Sequence, residues 1–188
     1  MENEMLIFKP DNHLTLIAKV EAFAGERLLG REEKSHYHQF RVNGQDAKGL
    51  IQFLRDDYAL GFAFFIDLTA VDYLRYPIAQ PERFAVVYTL LSPLLGIKAQ
   101  IKAFVPEGDP RLPSIADIYA GANWTEREVW DLYGIEFMGH PDLKRILMPD
   151  DYEGHPLRKD YPLRGRGERG NFPVYHATTQ KPQGANSP

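Results

Sequence analysis

Ile97-Lys98-Ala99-Gln100-Ile101-Lys102-Ala103-Phe104-Val105 alternates apolar and polar side chains until Phe104. A period of two puts Ile97, Ala99, Ile101, Ala103 and Val105 on one face of a strand and Lys98, Gln100 and Lys102 on the other. One face is apolar and the other largely wet, which is the pattern of a sheet covered on one side. Upstream, Ser92-Pro93-Leu94-Leu95-Gly96 reads as a turn into a second strand, 84–91. A loop holding Pro77 and Pro81 separates that strand from a third apolar run, 62–73, which reads as a buried strand. Three neighbouring strands with short connections make an antiparallel sheet, and helices must cover its apolar face. The predicted class is α+β, with an extended C-terminal arm.

The covering helices are found further out. Leu14, Ile17 and Ala18 predict a helix over 11–23, opened by Asp11 or Asn12. Short strands follow over 28–31 and 37–42, the second setting Tyr37, Gln39 and Arg41 against His38, Phe40 and Val42. Asn43-Gly44 reads as a turn, after which Asp46 caps a helix through Leu50, Ile51, Phe53, Leu54 and Tyr58. On the far side, 106–113 leaves the sheet and 114–119 reads as a short helix. The expected division is a compact domain over 1–137 and an arm with a flexible end over 138–188.

Composition removes several functional classes. A chain of 188 residues is long enough for one substantial core. Its net charge of -4 argues against general nucleic-acid affinity. It has no cysteine, and so no disulfide, thiolate nucleophile or cysteine ligand for an iron-sulfur cluster. Met1-Glu2-Asn3-Glu4 is acidic where a secretory leader is basic, and the most apolar run, 59–66, is far below the roughly 20 residues of a membrane helix. These features predict a chain with no membrane span. His13, His36 and His38 lack an acidic or cysteine pattern and read as surface or strand histidines rather than metal ligands. Asp67 and Asp72 are an odd number apart on one strand, so they fall on opposite faces and do not make a joint acid-base site.

The stretch 123–134, Asn-Trp-Thr-Glu-Arg-Glu-Val-Trp-Asp-Leu-Tyr-Gly, reads as a charged amphipathic helix. Asn123 with Glu126 and Thr125 with Glu128 have capping-box spacing, and Gly134 is placed to end the helix. Val129, Trp130, Leu132 and Tyr133 form one apolar arc at about 100° per residue. Glu126 falls inside that arc, either as a first-turn carboxylate bonding free amides or facing a cation from elsewhere. Arg127 and Asp131 lie together on the other side, spaced to pair.

Beyond Gly134 the chain changes character. Gly139-His140-Pro141 and Gly154-His155-Pro156 repeat a tripeptide, each followed by a basic pair, Lys144-Arg145 and Arg158-Lys159. Pro141, Pro149, Pro156 and Pro162 forbid a continuous helix. Leu143, Ile146, Leu147, Tyr152, Leu157 and Tyr161 are nevertheless too apolar for a solvated linker. A segment of this kind is expected to lie along another surface.

These residues resemble the signature of the 30 kDa subunit family of the proton-pumping NADH-quinone oxidoreductase, respiratory complex I. The resemblance rests on Glu126-Arg127-Glu128, Asp131-Leu132-Tyr133, His140 and Lys144-Arg145-Ile146, continued by Gly154-His155-Pro156-Leu157-Arg158-Lys159-Asp160-Tyr161-Pro162. Upstream, Asp-Leu-Thr-Ala-Val-Asp-Tyr at 67–73, 82–92 and 105–115 are also similar to family segments, so the likeness covers roughly 62–163. Trp130 and Leu132 stand where relatives often place other large apolar residues.

The resemblance implies a cofactor-free subunit of the peripheral arm, with FMN, iron-sulfur clusters and quinone in partner subunits. It implies packing against a chain related to the hydrogenase large subunit, and against neighbouring iron-sulfur subunits. The location would be the cytoplasmic side of the inner membrane, or the matrix side in a mitochondrion. Glu126, Arg127, Glu128, Asp131, His140, Lys144, Arg145, His155, Leu157, Arg158, Lys159, Asp160 and Tyr161 would form the partner-binding or structural signature. An equivalent subunit of a ferredoxin-fed or hydrogenase-linked membrane complex fits the same residues. A stand-alone acid-base or metal enzyme using His140 and His155 lacks a supporting nucleophile elbow, phosphate loop or zinc spacing. An RNA-binding tail is weaker still, because Asp160 and Glu168 interrupt its cations.

Overall fold

In a computed structural model, residues 10–34 and 37–166 are described. Alternation dictates the sheet. Strands β1 (Leu28–Lys34), β2 (Tyr37–Asn43), β3 (Phe64–Asp72), β4 (Phe84–Ser92) and β5 (Ile97–Val105) form one sheet in the order β1-β2-β5-β4-β3. The expected antiparallel meander of β3, β4 and β5 is present, with Tyr88 opposite both Leu68 and Ile101. The first hairpin, β1 and β2, adds to it through a parallel pairing of β2 with β5, Phe40 opposite Ile101. The sheet is therefore mainly antiparallel with one parallel seam.

Helices pack on the apolar face of the sheet. Helix α1 (Pro10–Ala24) contributes Leu16 and Val20, and α2 (Gly44–Asp56) contributes Leu50, Ile51 and Leu54. They bury Phe40, Val42, Ile101, Ala103, Val86, Leu90 and Leu68. Asp57 accepts the amides of Ala59 and Leu60 and the Lys19 ammonium, at 2.7 Å for the last, which fastens α1 to the end of α2. His13 Nδ1 on α1 lies 2.5 Å from His38 Nε2 on β2, and burial pushes the His38 imidazole pKa down; His36 lies outside the described residues. On the open face, Gln39 donates to Gln100, and Gln100 to Thr89, a polar ladder across three strands.

Several local expectations are revised. Asn43-Gly44 is no free turn: Asn43 is extended and α2 starts at Gly44, so Asp46 lies inside the first turn and Tyr58 lies beyond the helix at 91% exposure. The run 62–73 is not buried throughout, because β3 is an edge strand and leaves Phe64 and Ile66 58% and 45% exposed. Residues 114–119 form a single turn, with Ile115 O accepting from Ile118 and Tyr119, instead of a helix. Asp67 and Asp72 do fall on different faces, the first exposed and the second buried.

A short parallel pair, β6 (Arg111–Pro113) and β7 (Glu136–Met138), brackets α3 (Ala122–Tyr133) and seats it against β3. The structured core thus extends to Met138, whose carbonyl accepts the Ser114 amide. The expected flexible end lies mostly outside the described residues.

Tyr88 stands at the centre of the covered face, fully buried, and among the described residues its hydroxyl has no hydrogen-bond partner. Burial, with Glu126 nearby, pushes the phenol pKa well up. Since an unpaired buried hydroxyl is destabilising, Tyr88→Phe should raise the unfolding free energy by roughly 1 kcal/mol. Urea melts would read this, and a comparable loss would mean that the hydroxyl is bonded in the folded state.

Candidate partner-binding site

Helix α3 supplies the frame. It begins one residue before the expected caps, with Gly121 at its N-cap and no side-chain cap bond, and Thr125 Oγ1 donates backward to Ala122 O. Gly134 ends it as expected, at φ +69° with its amide on Trp130 O. A side chain at 134 would overlap the His155 ring and approach Arg158 Nη2 to 2.8 Å, so glycine is required for space as well as for conformation. Glu126, Arg127 and Asp131 are all buried. Arg127 and Asp131 do not pair with each other, because each turns to the segment that follows the helix.

Asp131 is the focus of that segment. Its Oδ2 accepts three successive amides, Ile146 at 3.1 Å, Leu147 at 2.8 Å and Met148 at 2.9 Å, and its Oδ1 accepts Arg145 Nη1. Burial opposes the charge, but the amides and Arg145 outweigh it and hold the carboxyl below its ordinary range. Arg145 Nη2 also donates to Tyr152 O at 2.8 Å and Gly154 O at 3.3 Å. Arg127 donates to Lys144 O and Arg145 O, at 3.1 and 3.3 Å. Its guanidinium lies over the Trp124 ring.

The last carbonyls of α3 lack partners within the helix and are met by the same segment. His155 Nδ1 donates to Asp131 O at 3.0 Å, Leu157 N to Leu132 O at 3.1 Å, and Arg158 to Tyr133 O and Gly134 O. A cation at this end also complements the helix dipole. Further along, Lys159 N donates to Asp72 Oδ2 at 2.8 Å. Arg83 joins Asp72 and Asp160, each at 2.9 Å, and Glu107. Burial works against the Asp72 anion, yet Arg83 and the Lys159 amide hold its pKa low.

Glu126 is bonded from outside its own helix. It does not bond the amides of its own helix, and no Lys or Arg ion-pairs with it among the described residues. Instead it accepts Ser114 Oγ at 2.6 Å and Ile115 N at 2.7 Å. His140 Nε2, 3.9 Å away, donates to Asn123 O at 3.1 Å, and its Nδ1 accepts the Asp142 amide. Burial pushes the Glu126 pKa up to about 7 because two donors do not replace its lost hydration.

Of the signature residues, Asp131, Arg145, His155, Leu157 and Arg158 converge on the end of α3, and Asp160 joins Arg83. Tyr161 bonds Tyr152 through their hydroxyls at 2.7 Å. Lys144 pairs at the surface with Asp142, and Glu128 is exposed on α3. His140 and His155 are anchored at Asn123 and Asp131, about 12 Å apart along the helix at 1.5 Å per residue. Among the described residues no cluster of three or more His, Asp or Glu is placed to hold a metal ion. Sequence reasoning missed Ser114, Arg83 and Tyr152 as partners. Arg83 and Ser114 lay in the similar segments 82–92 and 105–115, but pairing them needed the fold.

These contacts fix two outcomes. The raised Glu126 pKa means the folded chain keeps a proton that the unfolded chain loses, so stability falls as pH rises from the unfolded value of 4.5 to about 7. Across that span the loss is roughly 3 kcal/mol, at about 1.4 kcal/mol per pH unit. Glu126→Gln should flatten that slope in melts at stepped pH; an unchanged slope would assign it to another group. Asp131→Asn should cost roughly 3 to 5 kcal/mol by stranding Arg145. Hydrogen exchange should then lose protection at 146–148, and persistent protection would show that the segment is held by other contacts.

Comparison with known proteins bears on the same region. The family model for respiratory-chain NADH dehydrogenase, 30 Kd subunit, matches residues 40–167, reaching further upstream than the sequence motifs alone. The chain is 57% identical over 111 residues to NADH-quinone oxidoreductase subunit 5 of Thermus thermophilus, covering 56% of this chain and only about half, 53%, of that relative. It is 43% identical over 150 residues to an NADH-quinone oxidoreductase subunit of Sinorhizobium medicae, covering 80% and 72% of the two chains. The solved structure of a trypsin-resistant fragment (1-134) of Nqo5 superposes with TM-score 0.61 at 36% identity, covering 70% of this chain and 99% of the fragment.

Proposed function

Because the chain belongs to the respiratory-chain NADH dehydrogenase 30 kDa subunit family, we propose that it is a non-catalytic, cofactor-free subunit of a complex I-like NADH-quinone oxidoreductase. In this reading the chain supports electron transfer from NADH to quinone, coupled to proton translocation, by holding other subunits in place. FMN, iron-sulfur clusters and quinone belong to those subunits. The partners are a chain related to the hydrogenase large subunit and neighbouring iron-sulfur subunits, on the cytoplasmic side of the inner membrane. In this reading the attachment is through partners; no helix among the described residues is long and apolar enough to cross a membrane.

The observation that carries this reading is the use made of the signature charges. Asp131, Arg127, Arg145 and Arg158 are committed to main-chain and ion-pair bonds that mould 139–166 onto the core. Those bonds give 139–166 a fixed, shaped outer surface. Leu147, Leu157 and Leu163 project from it at 55%, 43% and 105% exposure, apolar side chains that a partner would cover.

The test is deletion of residues 139–188. The related Nqo5 fragment, trypsin-resistant and solved alone, supports expecting that the remaining domain folds. The truncated chain should unfold cooperatively, at lower stability, and should no longer co-purify with the partner related to the hydrogenase large subunit. Retained co-purification would place the partner contact on the core instead. Colour or stoichiometric metal in the purified full chain would overturn the cofactor-free part.

A further inference from the structure

Residues 156–164, together with Arg75 from the β3–β4 loop, line an open groove of about 600 Å³. Four cations line it, Arg75, Arg158, Lys159 and Arg164, with Asp160 as the lone acid. That acid is already taken by Arg83 at 2.9 Å. Among the described residues none of the four cations forms an ion pair with a carboxylate. Arg158 is spent on the α3 carbonyls and sits over the Phe84 ring, while Arg75, Lys159 and Arg164 are exposed. Leu157 and Leu163 are exposed on the groove wall, and Leu74, Tyr76 and Ile78 extend the apolar surface along the Arg75 loop.

A concentrated positive groove on a chain of net charge -4 is a local feature that calls for a complementary ligand. We propose that the groove takes an extended acidic segment of a partner protein, its carboxylates on Arg75, Lys159 and Arg164 and its apolar residues against Leu157 and Leu163. The proposal rests on the reading that 139–166 is a docking surface, and adds the chemistry of what docks. The mixture of leucines and cations favours a peptide over nucleic acid. Tyr161, the groove's aromatic, is held by Tyr152 and overlaid by Arg166, so no base-stacking platform is presented. Residues 167–188 do not complement the groove, carrying one acid, Glu168, against Arg169 and Lys181.

The test uses the full chain, as the triple variant R75E/K159E/R164E, in the assembled complex. All three side chains are exposed, so circular dichroism and the melting temperature should match the wild type. A melting temperature lowered like that of Asp131→Asn would overturn the assignment of the three as outward-facing cations. Complex-bound chain should fall by about tenfold or more, and wild-type assembly should weaken as salt is raised. A parallel variant, K98E/K102E on the open sheet face, should assemble normally. If deletion of 139–188 abolishes assembly but the triple variant assembles like the wild type, the docking surface stands and its acidic ligand is overturned. If neither change matters, both readings fall. Release of wild-type chain by ribonuclease would overturn the peptide in favour of nucleic acid. Self-association of the purified chain that the triple variant abolishes would overturn it in favour of a second copy.

Discussion

A buried carboxylate holds the segment after Gly134 on the core of this structure. Asp131 is fully enclosed, and an ionised acid in that position is tolerated only where hydrogen bonds replace its hydration. The replacement comes from outside its own helix, as three successive amides and one guanidinium from 145–148. A regular helix or strand would have engaged those amides itself. The prolines that forbid regular structure after Gly134 thus leave the backbone free to solvate an anion. The segment, which has no periodic structure of its own, is held by the helix, and among the described residues it supplies the donors that offset the burial of Asp131.

Glu126 shows how sensitive that balance is. The two acids sit five residues apart on α3 and both are buried, yet environment moves them in opposite directions. Asp131 has a guanidinium and three amides and is held low; Glu126 has a hydroxyl and one amide and is pushed up to about 7. Burial raises both, more strongly at Glu126, and only at Asp131 do the donors, a guanidinium and three amides, outweigh it. The same logic explains Asp72, equally buried as a side chain, which Arg83 and the Lys159 amide keep ionised. The segment is therefore fastened to the core at two remote carboxylates, with the capped end of α3 between them.

This fastening shapes the outer surface. Because Arg158 turns inward to the carbonyls of Tyr133 and Gly134, the backbone around it turns Lys159 and Leu157 outward. Gly134 makes the approach possible, since any side chain there would occupy the space of His155 and Arg158. The internal bonds thus set the geometry with which the external residues are displayed.

The sequence by itself determined the elements whose signal is periodic. The alternation at 97–105, the turn at 92–96 and the two-faced pattern at 37–42 depend on nearest neighbours along the chain, and each is where the residues placed it. Gly134 as a helix stop is equally local. The motif spacing from Glu126 to Tyr161 was enough to indicate the family, because side-chain identities at fixed intervals survive without any knowledge of contacts. The tertiary structure alone decided the partners. Spacing of four on a helix predicted that Arg127 would meet Asp131, but burial beneath 139–166 offered both side chains stronger donors and acceptors than each other. The parallel seam between β2 and β5 was likewise beyond local reading, because it joins strands separated by α2, β3 and β4. So were the bonds of Glu126 to Ser114 and of Arg83 to Asp160, since a hydrogen bond across the core leaves no periodic trace in the chain.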